Sequence, residues 1–343
     1  MSNTQKENIV LADCEANEIH SFVQALQTES ESYEIKSHIS NFKRTGKLSE
    51  LKRYFIYFFV GFKYFLQRKK YNKIVGWQQF YALILCFFCS IFKVKKTNMV
   101  TALNFTYKEK KGKVFKIYKW FMSKCLDKRY LDYIHVPSKE YADSISCSFD
   151  FPREKIIVTT FGVNDEFETL SKLQPPQGLE SDGYALAIGR SNRDYEFLID
   201  AWKKVDYPLV IISDTFKGEV CDENITLLTD VAGEQSYPYI ANCSLMVIPI
   251  DDPAICSGDT VLLTSMFLKK KIIVTKPSTL SEMYIIDKQN ALLSEKNPEV
   301  FAGVVKQALS EEYQDLGERA RESFIENFSR ESMGKKISVV INQ

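Results

Sequence analysis

Short apolar runs alternate along the chain with longer segments in which apolar positions recur every three or four residues. The short runs read as buried strands at 8–12, 33–39, 73–76, 97–105, 133–136 and 155–159. Between them the helical period predicts helices at 18–26, 49–67, 78–92, 114–126 and 137–146. Ser49 is the expected N-cap of the longest of these, and Arg-Lys-Lys at 68–70 suits the negative end of its dipole. A linker-like stretch follows, SKLQPPQGLESDG at 171–183. Beyond it the alternation resumes, with strands at 184–188, 209–213, 225–228, 244–250 and 271–275. Helices are expected at 195–204, 234–241, 260–268 and 298–309. Strand and helix alternating in this way predict βαβ units and parallel sheets, hence an α/β fold.

The chain has 343 residues, more than one hydrophobic core usually serves, so two domains are expected. The expected division is 1–164, 165–310 and a helical segment 311–343 that packs back on the first domain. The longest apolar run, 80–92, is shorter than the ~20 residues of a membrane-spanning helix. The opening MSNTQKENIVLAD is polar and does not read as a secretory leader. A cytoplasmic protein is expected. Eight cysteines fit reduced core positions there. Cys86 and Cys89 form a C-x-x-C pair inside an apolar run, with no second pair or nearby His to complete a zinc site.

The formal net charge of +1 conceals a division. Residues 1–164 hold 27 basic and 15 acidic side chains, and within them 36–129 hold 23 basic against 3 acidic. Lysine and arginine there alternate with aromatics, as in LKRYFIYFFVGFKYFLQRKK. A basic, aromatic-rich surface suits anionic lipid head groups with aromatics entering the interface. Nucleic acid is the lesser alternative, because no recognition motif accompanies the charge. Solvated lysines on core helices are the third reading.

Two segments carry chemistry. In YALAIGRSNRDYEFLIDAW (184–202) a strand ends at Gly189, and Arg190 and Arg193 follow before a helix. The planar guanidinium fork suits phosphate oxygens. In CSGDTVLLTS (256–265) Ser257, Gly258, Asp259 and Thr260 lead into a helix whose first N–H groups lack partners, a natural anion site. A plain capped helix is the other reading of that turn.

These segments resemble the donor domain of GT-B glycosyltransferases of the family 4 (group 1) type, in which a strand ends in Gly-Arg and a second cation follows. IHVPSKEYADSI, FPREKIIVTTFGVN and NITLLTDVAGEQSYPYIANCSLMVIPIDD resemble further stretches of that family, over roughly residues 130–295. The resemblance implies two doubly wound Rossmann-like domains facing across a cleft. It implies a nucleotide-sugar donor, UDP-linked, held by Gly189, Arg190, Arg193, Ser257, Gly258, Asp259, Thr260 and Thr264. Asp259 carries the wrong sign for phosphate, so its part is the turn. The family has Glu at the positions of Cys256 and Thr264; a threonine makes one hydrogen bond to ribose where a glutamate makes two.

The first domain is then expected to hold the acceptor, a glycan or a lipid-linked saccharide, with Glu15 and Asn17 as contacts. Asn104 stands where the family often has His; it hydrogen-bonds a sugar hydroxyl but is no base. Asn104 and His20 are the catalytic candidates, and His135, inside a strand, reads as structural. The resemblance implies a retaining reaction assisted by the leaving phosphate, with neither metal nor cofactor. The basic face of the first domain is expected to hold the enzyme on the inner face of the cell membrane, with no nucleic-acid partner, and the resemblance implies a setting in bacterial cell-surface polysaccharide synthesis (capsule, exopolysaccharide or lipopolysaccharide). A GT-B protein that binds nucleotide-sugar or a partner transferase without turnover is the alternative, and a sugar-nucleotide epimerase is a third.

Overall fold

The computed structural model describes the chain except for residues 1–5, 41–45, 111, 113, 180–182, 254 and 256. Along residues 6–164 run β1 (Glu7–Ala12), α1 (His20–Leu26), β2 (Tyr33–Ser37), α2 (Lys47–Gln67), β3 (Tyr71–Gly76), α3 (Gln79–Phe92), β4 (Met99–Ala102), α4 (Val114–Cys125), β5 (Tyr133–Val136), α5 (Lys139–Phe149) and β6 (Ile156–Val158). Then come α6 (Phe167–Leu170), β7 (Ala185–Ile188), α7 (Tyr195–Trp202), β8 (Leu209–Ile212), β9 (Ile225–Leu228), α8 (Tyr237–Asn242), β10 (Leu245–Ile248), α9 (Asp259–Phe267) and β11 (Lys271–Lys276). The chain continues through α10 (Thr279–Met283), β12 (Leu292–Glu295), α11 (Pro298–Leu309), α12 (Leu316–Asn327) and α13 (Arg330–Ile341).

These elements form two compact units. One comprises 1–164 with 330–343, and the other 165–329. Of the segment 311–343, only 330–343, which is α13 with the chain end, belongs to the first unit. There α13 packs along α1, and Ser338 Oγ and Asn342 Nδ2 both donate to the Leu26 carbonyl at 2.9 Å. By contrast α12 packs on α9, inside the second unit, where Phe267 and Phe324 meet with centroids 5.5 Å apart.

The first sheet has the order β2-β1-β3-β4-β5-β6, all strands parallel. Successive strand residues point to opposite faces, so each strand feeds two cores. Ile9, Leu11, Ile74 and Val100 face the helices α2 to α5. Val10, Ala12 and Val75 face α1 and α13, where Phe22, Met333 and Ile337 close the opposite core. The second sheet has the order β12-β11-β10-β7-β8-β9, also parallel. In such sheets the connections leave in opposite directions at one point, which opens a crevice at the carboxyl ends of two neighbouring strands. In the first unit that point lies between β1 and β3. In the second it lies between β7 and β10.

Helix α2 begins at Lys47, with Gly46 as its cap residue. Ser49 is not the cap: its hydroxyl donates to the Gly46 carbonyl at 2.7 Å from within the first turn. The outward side of α2 is apolar. Leu51, Phe55, Phe58, Phe59, Phe62 and Leu66 are 40 to 70% exposed. Ring contacts extend this surface across α3 and α4, through Phe62 with Phe88 at 4.9 Å, Phe58 with Phe121 at 5.8 Å and Phe87 with Trp120 at 6.0 Å. Among the described residues, no helix is long and apolar enough to cross a membrane.

Candidate functional site

In the second unit the crevice between β7 and β10 holds both segments singled out by sequence. Past β7 the backbone turns at Gly189, with φ 154°, and Asn192 takes φ 54°, a left-handed conformation that Asn tolerates. The Asn192 amide joins this turn to the chain leaving β10. Its Nδ2 donates to the carbonyls of Asp252 (3.0 Å) and Ile255 (3.2 Å) and to Ser257 Oγ (3.0 Å). Its Oδ1 accepts from the Asp252 N–H at 2.7 Å. Asp194 then caps α7, accepting from the Phe197 N–H at 3.0 Å, and Lys296 neutralises it from 2.5 Å.

Arg193 runs through the middle of this arrangement. A Cβ placed on Gly189 would lie 2.9 Å from its Nε, and one on Gly258 would lie 2.7 Å from its Nη2. The two glycines therefore make the channel that the guanidinium occupies. Nη1 donates to the carbonyls of Ser191 (3.3 Å) and Asn192 (3.2 Å). Nε is buried without a hydrogen-bond partner. Burial lowers the pKa of the group, and Tyr195 and Asp259 act in the opposite direction. Arg193 is thus a desolvated cation with unused donor capacity.

Helix α9 starts beside it. Gly258, φ 94°, is the cap residue and supplies no side-chain acceptor, so the first-turn N–H groups of Asp259, Thr260 and Val261 have no partner within the helix. A cation and a helix N-terminus side by side make an anion site. Arg190 differs from Arg193. Its side chain is 77% exposed and pairs with Asp214 at 2.9 Å, and the Arg190 carbonyl accepts from Thr215 Oγ1 at 2.6 Å. Thr264 is buried on the second turn of α9. Cys256, at the position of the family's first Glu, lies outside the described residues.

In the first unit the crevice between β1 and β3 opens as a pocket of about 420 Å³. Asp13 follows β1, Trp77 and Gln78 follow β3, Asn104 follows β4, and Glu50, Arg53, Tyr54 and Tyr57 come from α2. Gln78 Nε2 donates to Asp13 Oδ2 at 2.9 Å, and Arg53 Nη2 to the Tyr57 hydroxyl at 2.6 Å. Trp77 is fixed between Phe22, with centroids 4.9 Å apart, and the guanidinium of Arg330, 5.3 Å from the ring.

Asn104 reaches the pocket from a left-handed position, φ 53°. Its backbone N–H donates to His135 Nδ1 at 3.2 Å, and His135 Nε2 is 2.9 Å from the Thr159 carbonyl. A carbonyl accepts only, so Nε2 carries the proton and the imidazole is neutral. Burial holds its pKa down at about 4, with the Thr159 carbonyl acting in the opposite direction. His135 thereby sets the loop that carries Asn104.

Glu15, Asn17 and His20 are exposed on the first turns after β1 and do not line this pocket. Glu15 forms a capping box with Glu18 there. Asp13, Trp77 and Gln78 belong to no stretch singled out by sequence, and Arg53 and Tyr57 lie in the basic, aromatic stretch 51–70, which reads as a surface and not as a pocket wall. The signal they do carry is positional: a carboxylate directly after the first strand, and Trp-Gln-Gln directly after the third. Among the described residues no group of three or more His, Cys, Asp or Glu is placed to hold a metal ion.

No protein-family model matches the chain, and no curated protein matches it by sequence. Solved structures do match. A glycosyltransferase from Rickettsia africae aligns over 98% of this chain and 98% of its own, with TM-score 0.65 and 13% identity. HepE from Anabaena, solved with UDP and glucose, aligns over 99% and 100%, with TM-score 0.61 and 12% identity. WaaG, a glycosyltransferase of lipopolysaccharide biosynthesis, aligns over 97% and 99%, with TM-score 0.56 and 12% identity. At such identities the likeness is one of fold. The two parallel, doubly wound α/β units of this chain have the GT-B glycosyltransferase fold.

Proposed function

We propose that the protein transfers a sugar from a nucleotide-sugar, UDP-linked, to a glycan or lipid-linked acceptor. The observation that carries this reading is the desolvated guanidinium of Arg193, threaded between Gly189 and Gly258 beside the uncapped start of α9. That arrangement suits the diphosphate. Gly189, Ser257, Gly258, Asp259 and Thr260 supply the turns and N–H groups, Arg190 a second cation, and Thr264 a hydroxyl toward the nucleoside. HepE, of the same fold, has been solved with UDP and with UDP-glucose, which supports the choice of nucleotide.

The developing charge on the leaving diphosphate is balanced by the two arginines and the helix dipole, so transfer is proposed to proceed without a metal ion; retention, assisted by the leaving phosphate, is proposed on the resemblance to the family 4 type. Asn104 is the proposed catalytic-region contact to a sugar hydroxyl. His20, Glu15 and Asn17, exposed at the start of α1, are proposed to meet the outer part of the acceptor. The apolar, cation-rich face of α2, α3 and α4 is proposed to dock on the anionic inner face of the cell membrane, as polysaccharide synthesis at the cell surface requires.

The test is a thermal-shift titration with UDP, GDP, ADP and CMP, each with and without Mg²⁺. A ligand that binds only the folded state raises its stability, by ~2.7 kcal/mol at a hundredfold excess over Kd. The expected result is a shift with UDP that does not need Mg²⁺. Absence of any shift at millimolar ligand would remove the donor reading.

A further inference from the structure

The start of α9 carries a carboxylate that an anion site does not call for. Asp259 is the first residue of the helix, directly after the cap residue Gly258, and it is half-buried. Its backbone N–H favours an anion while its side chain opposes one. Arg193 is the neighbouring cation, since a Cβ on Gly258 would lie 2.7 Å from Nη2. Burial lowers the pKa of that guanidinium, and the fields of Tyr195 and Asp259 raise it. Among the described residues no cation forms an ion pair with Asp259. Arg190 is taken by Asp214 and Lys296 by Asp194, and Arg193 directs Nη1 at the carbonyls of Ser191 and Asn192. The surroundings do not make up the difference, because residues 165–343 hold 18 basic side chains against 29 acidic.

A first-turn carboxylate complements the helix dipole, and that accounts for Asp259 as a structural residue. It has a second effect in a site that takes phosphate, because the ligand changes charge during transfer. The bond between the anomeric carbon and the terminal phosphate oxygen breaks, and the oxygen keeps the electron pair. The acceptor hydroxyl oxygen bonds the carbon, and its proton passes to the phosphate or to water. A phosphate monoester has a second pKa of about 6, so above it the freed UDP carries one more negative charge than the sugar nucleotide did. A fixed negative charge near the phosphates therefore acts more strongly on product than on donor.

We propose that Asp259 sets the donor site against the extra charge of the departing nucleoside diphosphate, so that it discriminates between sugar nucleotide and product and promotes release of UDP. This deepens the donor reading and rests on it. One charge acting on another across several ångströms near a protein surface is worth about a factor of ten in Kd.

The test compares UDP with its methyl ester on the terminal phosphate, which cannot take the second negative charge there. Both are titrated by calorimetry into the full chain and into Asp259→Asn and Asp259→Glu, with EDTA present, at about 0.05 M salt, where charge effects are least screened. In Asp259→Asn, UDP is expected to bind more tightly, and the ratio of Kd for UDP to Kd for the ester to fall about tenfold. Asp259→Glu keeps the charge and is expected to keep the wild-type ratio. The ligand-free Asp259→Asn protein is expected to melt slightly lower, because its helix loses a favourable charge. Tighter product binding in a less stable protein is a combination that a purely structural role does not produce. A ratio unchanged in Asp259→Asn, or UDP bound more weakly by it, overturns this inference and leaves the donor reading standing. Failure of the wild type to bind either ligand removes the donor reading and this inference with it.

Discussion

Arg193 and Gly258 are so close that a single added carbon on the glycine would lie 2.7 Å from Nη2 of the arginine. The guanidinium can swing away from such a carbon, so the clash is relieved by moving the cation rather than by breaking the fold. At φ 94° an alanine also strains the backbone, by ~1 kcal/mol. Gly258→Ala is therefore expected to lower UDP affinity about tenfold or more, measured by titration calorimetry, while costing little thermal stability. Unchanged affinity would mean that the position of Arg193 is irrelevant to the ligand.

The two arginines should differ in kind. Arg193 is desolvated and has an unused donor, whereas Arg190 is exposed and already paired with Asp214. Replacing either by alanine should weaken UDP much more than uridine, because only UDP carries phosphate. The loss should be larger for Arg193, about a hundredfold, since charge-assisted bonds made away from water are worth about 1.5–3 kcal/mol. Equal losses for UDP and uridine would refute the phosphate assignment.

The exposed aromatics of α2, set among the lysines and arginines of 36–129, predict salt-dependent binding to anionic lipid. The protein should bind vesicles of mixed phosphatidylcholine and phosphatidylglycerol at about 0.05 M salt and release as salt rises to about 0.5 M. A Phe55→Asp, Phe59→Asp double variant should bind about tenfold more weakly in cosedimentation, since both rings are mostly exposed and carry no core packing. Equal binding to vesicles of phosphatidylcholine alone would eliminate the electrostatic part of this reading.

His135 predicts an acid weakness. Its folded pKa lies near 4, below the unfolded value of 6.5. Between those values the unfolded chain takes up a proton that the folded chain refuses. Stability is thus full above pH 6.5, declines as pH falls toward 4, and is then unaffected by this group. The whole step is of order 3 kcal/mol. Urea unfolding at pH 7 and pH 4.5, with NMR titration of the imidazole, measures it. An imidazole that titrates near 6.5 in the folded protein would contradict the assignment.

Much of this molecule can be read from local pattern. The strand and helix alternation, the turn at Gly189 to Arg193 and the helix from Asp259 all lie in continuous stretches of chain. Strand β12, Leu292–Glu295, escapes such a reading, because Leu292 and Leu293 are followed at once by Ser294 and Glu295 and make neither an apolar run nor an alternation. The pocket of the first unit escapes it for a different reason. Asp13, Gln78 and Asn104 come together only because β1, β3 and β4 are neighbours in the sheet, and strand order is not written in any local pattern. Glu15 and Asn17 lie two and four residues from Asp13, yet the capping box at Glu15 turns that stretch into a helical turn that leaves them exposed. The return of α13 rests on side chains that find their partners far away in sequence, as Asn342 does with Leu26, Tyr33 and Lys73.

That return has a consequence for biosynthesis. The second unit is continuous, from 165 to 329, whereas the first needs residues 330–343 to cover Phe22, Val23 and Leu26. A chain that stops at residue 329 therefore has every residue of its later-made unit, while its earlier-made unit still exposes one face of its sheet. Vectorial synthesis does not finish the units in the order in which they begin. Limited proteolysis of a released chain that ends at residue 329 should find 165–329 protected and 1–164 cleaved, and equal protection of both would show that α13 is dispensable for closing the first unit.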